Sequence, residues 1–189
     1  MTARWVVDEV APVRDLDITW QPISLLLANQ PEESSASFAP LDRTFRMLRV
    51  MESVRAAEDE DAVFRLYWEY GRRIHHDRAF EFEIADALES AGLSTAHASA
   101  YDSDEFDAEI QTRHDAGIAL AGDDIGTPII AFDNRKGVKQ AYFGPVITRV
   151  PNTDDSLAMW DALMTMGNID GFWELKRTRT ERPDVGQRP

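Results

Sequence analysis

Between Leu41 and Ala121 apolar residues recur at the spacing that puts them on one face of a helix. Phe45, Leu48 and Met51 (or Glu52) line one side of a first helix that runs from Leu41 to about Ala57. Asp61 opens a second, in which Val63, Phe64, Tyr67, Trp68 and Gly71 lead to Ile74. Phe80 to Ser90 forms a third, closed by Gly92, and Ser94 or Thr95 caps a short fourth. Ser103, followed by Phe106, Ile110 and His114, starts a fifth that ends near Gly122. On either side of this block the pattern changes. Trp5, Val6, Val7 and Val10 predict an N-terminal helix limited by Pro12, and the alternation of Ile18 and Trp20 with polar neighbours predicts a strand over Asp17 to Pro22. Ile23 to Asn29 reads as an apolar turn into a Ser/Glu/Pro loop. Ile129 to Phe132 predicts a short strand, Asp133 to Gly137 a hairpin loop, and Gln140 to Ile147 the returning strand. A last helix starts at Asn152 to Asp155, carries Leu157, Met159, Trp160, Leu163 and Met164, and stops at Gly167.

Composition narrows the function classes. The chain has 189 residues, 43% hydrophobic and 29% charged, which is a globular balance rather than a disordered one. A net charge of −14 opposes unaided binding to nucleic acid or to an anionic membrane. No apolar run approaches the roughly 18 residues of a membrane span, and the N-terminus lacks a secretory pattern. With 0 cysteines there is no disulfide, no Cys-ligated metal and no thiol nucleophile. A soluble, cytoplasmic protein fits these features.

Several segments in order carry a family resemblance: Arg4-Trp5 with the helix through VRDLDI, then ISLLLAN, GRRIH at Gly71 to His75, HDAG at His114 to Gly117, GDDIGTP, YFGPVI, and the ending FWELKRTRTERP. Together they resemble actinobacterial DsbA-like oxidoreductases of the mycothiol-dependent nitroreductase type, over nearly the whole chain. The resemblance implies an α/β, thioredoxin-like sheet of the DsbA type with an all-helical insertion. Residues 1–35 and 122–189 would form the thioredoxin-like domain and 36–121 the insertion. It also implies a strand and a C-P-W-C-like or C-P-W-A-like motif ahead of the Arg-Trp helix, where helix-end N–H groups lower the pKa of a thiolate.

That first strand and the catalytic cysteine are missing from this chain, and the cysteine is expected upstream of Met1. In such a sheet the lost strand would lie between 17–22 and 129–132, and its loss would leave two rows of unpaired backbone groups. A misplaced start is the reading this favours. A degenerate thioredoxin-fold binding protein without turnover is the alternative.

For the chain as it stands, no residue is catalytic and the expected site is a binding one. The resemblance makes Thr127-Pro128 a cis-proline loop whose residue 127 backbone pairs with a substrate or thiol; alone, the dipeptide reads as a trans proline opening an edge strand. Asn29 is either a pocket amide or a polar cap before Pro31. His75 either tunes a thiolate or interacts with a helix C-terminus. His76 carries no expected role, His97 is expected on the surface, and His114 packs or caps beneath the cis-proline loop. No metal site is expected, because the histidines lack ligand spacing, and Asp123-Asp124 reads as a solvated turn. Phe64, Tyr67, Trp68, Phe80 and Phe82 read as helical core, with a partly aromatic substrate groove as the other option. The basic KRTRTER tail reads as a solvated arm on its own acidic surface, or as a contact to an anionic cofactor or subunit. By resemblance the partners are a low-molecular-weight thiol, mycothiol, as co-substrate, and a small electrophilic or disulfide substrate; no cofactor is bound tightly. A homodimer stays open.

Overall fold

A computed structural model describes residues 1–189. The protein is a mixed helix–strand chain whose one sheet has two strands. It divides into two compact units: Met1–Ile18 with Ile118–Gly186, and Thr19–Gly117 with Gln187–Pro189. The expected boundaries fell at 35/36 and 121/122 instead.

In the first unit the chain is helical from its second residue: α1 (Thr2–Arg4), a π-helical stretch Trp5–Val10, and α2 (Ala11–Arg14). Pro12 does not end this helix, as expected, but lies inside its last turn. The wider π turn, in which Ala11 N–H donates to Val6 C=O, makes room for a ring that would otherwise crowd the preceding turn. Asp15, left-handed at φ 49°, stops it. Trp5 is fully buried, 5.9 Å from Trp160 between ring centroids, and the two form a core with Val10 against Val6, Ile130, Ile147 and Met159.

β1 (Ile129–Asp133) and β2 (Lys139–Phe143) pair antiparallel, Ile129 opposite Phe143 and Asp133 opposite Lys139. Asn134 builds the turn between them: its Oδ1 accepts from Lys136 N–H (2.9 Å) and Val138 N–H (3.0 Å), and Gly137 takes the φ of +71° that closes it. The returning strand was expected to reach Ile147, but it ends at Phe143 because Gly144 turns with φ +99° and Pro145 has no N–H to continue the ladder. A two-stranded hairpin is at best marginal alone. Here Ile130 enters the tryptophan core, and α8 (Thr153–Met166) lies in the same cluster through Trp160, Met159 and Met164. The start and stop of α8 follow the sequence: Asn152 Oδ1 accepts from Asp155 N–H (3.0 Å), and Gly167 ends it.

The second unit contains α3 (Leu25–Asn29), α4 (Phe38–Ala57), α5 (Glu60–Gly71), α6 (Ile84–Ser90) and a 3₁₀ helix Thr95–Asp102. α7 (Asp107–Ala121) follows them in the chain. Val50, Val54, Val63, Leu66, Ala87 and Leu88 form the core of this unit. Two glutamates are buried in it. Glu52 is paired with Arg55 and Arg113, both at 3.2 Å, and Glu69 with Arg73 at 2.8 Å and Arg72 at 3.3 Å. These partners are what allow a carboxylate in an apolar interior.

Three expectations fail in this unit. The strand over Asp17 to Pro22 is absent; the segment belongs to no regular element and no strand pairs with it. Helix side chains take its hydrogen bonds: Trp20 N–H donates to Glu60 (3.3 Å), and Trp20 C=O accepts from Arg55 (2.8 Å). The indole stacks on Phe64 (5.3 Å) and Tyr67 (5.4 Å), which explains why an alternating pattern arose without a sheet. The third helix begins at Ile84 rather than Phe80, leaving Phe80 65% exposed. The fifth begins at Asp107 rather than Ser103, whose hydroxyl accepts from Glu105 N–H (3.3 Å).

Candidate functional site

Thr127 and Pro128 stand at the head of β1, and the peptide bond between them is cis. Thr127 is exposed. The hairpin ladder begins beyond it: Pro128 C=O accepts from Gly144 N–H at 2.8 Å, and Ile129 pairs with Phe143. The backbone of Thr127 therefore stands outside the sheet, free to pair with an extended ligand as an added strand would.

Across the hairpin, Gly144-Pro145 is a second cis bond. Its Pro145 C=O accepts from the hydroxyl of Thr2 at 2.8 Å, and Thr2 is buried. A chain of contacts thus ties the first turn of the N-terminal helix to Pro145, through Gly144 to Pro128, and so to Thr127. Sequence reasoning missed Thr2 and Pro145. The Gly-Pro dipeptide of YFGPVI was the available signal, since glycine before proline marks a turn.

Asn29 and His75 belong to the helical unit. Asn29 closes α3, and its Nδ2 donates to Leu25 C=O at 2.9 Å, so one side of the amide is engaged in its own helical turn. His75 lies in the π-helical stretch Arg72–His76, a form of helix often found at functional sites. The residue is exposed, but partial desolvation first, and nearby positive charge, His76 included, after it, hold its pKa below the usual histidine value. At neutral pH this favours the uncharged imidazole, with one nitrogen to donate and one to accept.

The other expectations resolve differently. His114 is buried and accepts Ser24 N–H on Nδ1 (3.3 Å), so it anchors the approach to α3 rather than the proline loop. His97 is half-buried against the hydroxyl of Ser53 at 2.9 Å rather than on the open surface. Of the aromatic set, Phe82 packs against the core of its unit, 5.9 Å from buried Tyr70, while Phe80 is exposed. Trp20, Phe64, Trp68 and Tyr67 form a contiguous aromatic face, and Tyr67 is 39% exposed. Burial raises the phenol pKa of Tyr67. In the tail Lys176, Arg177, Arg179 and Arg182 are exposed, while Val185 C=O accepts from Arg4 (2.8 Å) and Asp184 N–H donates to Thr148 C=O (2.7 Å). The tail is thus held by backbone groups beyond its basic run. No helix is long and apolar enough to cross a membrane.

These features describe a mixed helix–strand protein with an exposed loop at the head of its hairpin and an aromatic face in its helical unit. The family model described as mycothiol-dependent nitroreductase Rv2466c (Rv2466c-like) matches residues 1–177, so the chain belongs to this family. The family is one of thiol-dependent oxidoreductases that use mycothiol as the low-molecular-weight thiol.

Proposed function

We propose that this polypeptide is the substrate-binding part of a thioredoxin-like, DsbA-type oxidoreductase. Its nucleophilic thiol is supplied by residues outside it. The observation that carries this reading is the family match over residues 1–177 in a sequence with 0 cysteines. The order β1, β2, α8 supports the finer fold assignment, because a hairpin backed by a helix is the second half of a thioredoxin-like unit.

In this reading the backbone of Thr127 and the ring of Pro128 form the surface on which an extended thiol lies. His75, uncharged near neutral pH, donates to a small electrophile such as a nitroaromatic, or to a disulfide. Asn29 offers its amide oxygen to the same ligand. Mycothiol supplies the reducing thiol when bound. The protein works in the cytoplasm. The second reading, a degenerate protein that binds without turnover, rests on the same absence of cysteine.

Binding is testable apart from catalysis. Titration of ¹⁵N-labelled protein with mycothiol is expected to shift the amide signals of Thr127 and Ile129 saturably. Shifts confined to other parts of the chain, or none at all, would remove Thr127 and Pro128 from the site.

A further inference from the structure

The three most exposed large apolar side chains of the protein are Trp173 (85%), Leu175 (79%) and Phe80 (65%), and they lie on two segments without regular structure. A tryptophan is seldom left so bare, because its ring is among the largest apolar surfaces a chain can bury. Trp173 and Leu175 open an arm of residues 173–183. Every residue of the arm is exposed, and none of its backbone groups hydrogen-bonds within the chain. The arm is not a loose end. At its root the Tyr142 hydroxyl donates to Phe172 C=O (3.3 Å), and at its far end Asp184 N–H donates to Thr148 C=O (2.7 Å).

The arm is basic in an acidic chain. Lys176, Arg177, Arg179 and Arg182 stand against Glu174 and Glu181, while the whole chain carries −14. Glu181 is taken by Arg149, and none of the four cations forms an ion pair. The expectation of a solvated arm lying on its own acidic surface therefore fails, because these cations meet no carboxylate of their own chain. Phe80 lies on a segment of the opposite charge. Residues 79–83 lead into α6, and Glu81 and Glu83 are both exposed and without an ion pair. Arg78 ahead of them leaves the stretch net negative. Phe82 packs against the core, so Phe80 is the apolar side chain this stretch presents to solvent.

The two segments complement each other. Both present bare apolar surface, which gains by leaving water, and their unpaired charges are opposite in sign. Nucleic acid or an anionic membrane would attract the arm but repel the rest of so acidic a chain. A second copy of the same chain offers acidic carboxylates and an exposed ring together. We propose that the arm of residues 173–183 docks on residues 79–83 of a second copy of this chain. Trp173 and Leu175 cover Phe80, and the basic side chains meet Glu81 and Glu83. Each copy carries both an arm and a receiving segment, so one pair of copies makes the contact twice.

The test is sedimentation velocity of the 189-residue chain over a range of about 5–500 µM. A dimer with a Kd of about 10–100 µM is expected for so small an interface. Raising the salt from about 50 to about 500 mM is expected to weaken it about tenfold, because the ion pairs are screened. Trp173→Ser with Leu175→Ser, or Phe80→Ser alone, is expected to leave a monomer; the three side chains are exposed, so folding does not depend on them. Charge reversal separates this contact from any other. Lys176→Glu with Arg177→Glu gives one variant, and Glu81→Lys with Glu83→Lys the other. Each is expected to be monomeric alone and to associate with the other on mixing, since the mixture has opposite charges at both contacts. A monomer at every concentration, a dimer indifferent to Trp173→Ser with Leu175→Ser, or reversed variants that stay apart on mixing would overturn the assignment. So would binding to vesicles of phosphatidylcholine and phosphatidylglycerol by a chain that remains monomeric, which would give the arm to a membrane surface instead.

Discussion

Trp5→Ala is expected to cost about 3–5 kcal/mol of stability, the range for removing a large buried ring from a core. The indole is fully buried, and it is one of only three buried residues at the centre of its cluster, with Val10 and Trp160. Little else can collapse into the space. The hairpin depends on that cluster through Ile130, and two strands do not hold themselves together in water. Against a typical domain stability of about 5–15 kcal/mol, such a loss removes much of the margin. Trp5→Phe gives the contrast. The Trp5 Nε1–H is buried without a partner, so phenylalanine loses some packing but also removes an unsatisfied donor. Its cost is expected to stay near 1 kcal/mol. Urea unfolding followed by near-UV circular dichroism measures both. A Trp5→Ala loss below about 1 kcal/mol would show that the tryptophan pair does not support the hairpin.

The second large effect is expected at Glu52. Its carboxylate is 3% exposed and faces Arg55 and Arg113. Breaking a buried ion pair by removing one partner costs about 3–5 kcal/mol, mainly because the other charge stays buried. Here the low end applies to Glu52→Ala, since each arginine keeps another acceptor: Arg55 donates to Glu60 and Trp20 C=O, and Arg113 donates to Gln21 at 3.1 Å, with Glu109 as a further counter-charge. Arg113 Nε lies 3.2 Å from Glu52 without hydrogen-bond geometry, so that contact contributes charge rather than direction. Glu52→Gln keeps the shape and an acceptor oxygen and is expected to cost about half as much. Thermal unfolding of the two variants separates charge from shape; equal losses would mean that the charge alone matters there.

Much of the fold was legible in the chain, and the exceptions share a cause. The hairpin was visible because Asp133 to Gly137 is dense in turn formers, and α8 because Asn152 and Gly167 mark its ends. Segment 17–22 was misread because period-2 alternation reports which side faces an interior, not what forms that interior. Ile18 and Trp20 alternate as a strand would, but Trp20 lies on aromatic side chains of α5. Phe80 to Glu83 continued a helical spacing that the backbone does not follow. The π turns at Trp5–Val10 and Arg72–His76 leave no mark on hydrophobic spacing at all. At the candidate site, Thr127-Pro128 stood out through the family-like GDDIGTP segment. Thr2 did not, because a threonine beside the first residue carries no pattern, and its role depends on a carbonyl 143 residues away.

The measurement that bears most directly on the proposed function is mycothiol-dependent loss of a nitroaromatic, followed by absorbance. It compares the 189-residue polypeptide alone with the same polypeptide joined to the residues encoded in frame ahead of Met1. The polypeptide alone is expected to give a rate indistinguishable from mycothiol and substrate without protein, because the sequence has 0 cysteines to form the reactive thiolate. A rate is expected to appear when the added residues bring a cysteine to the first turn of the helix that carries Thr2. Turnover by the 189-residue chain alone would contradict the proposal, and would require a nucleophile or acid–base pair from among its own side chains.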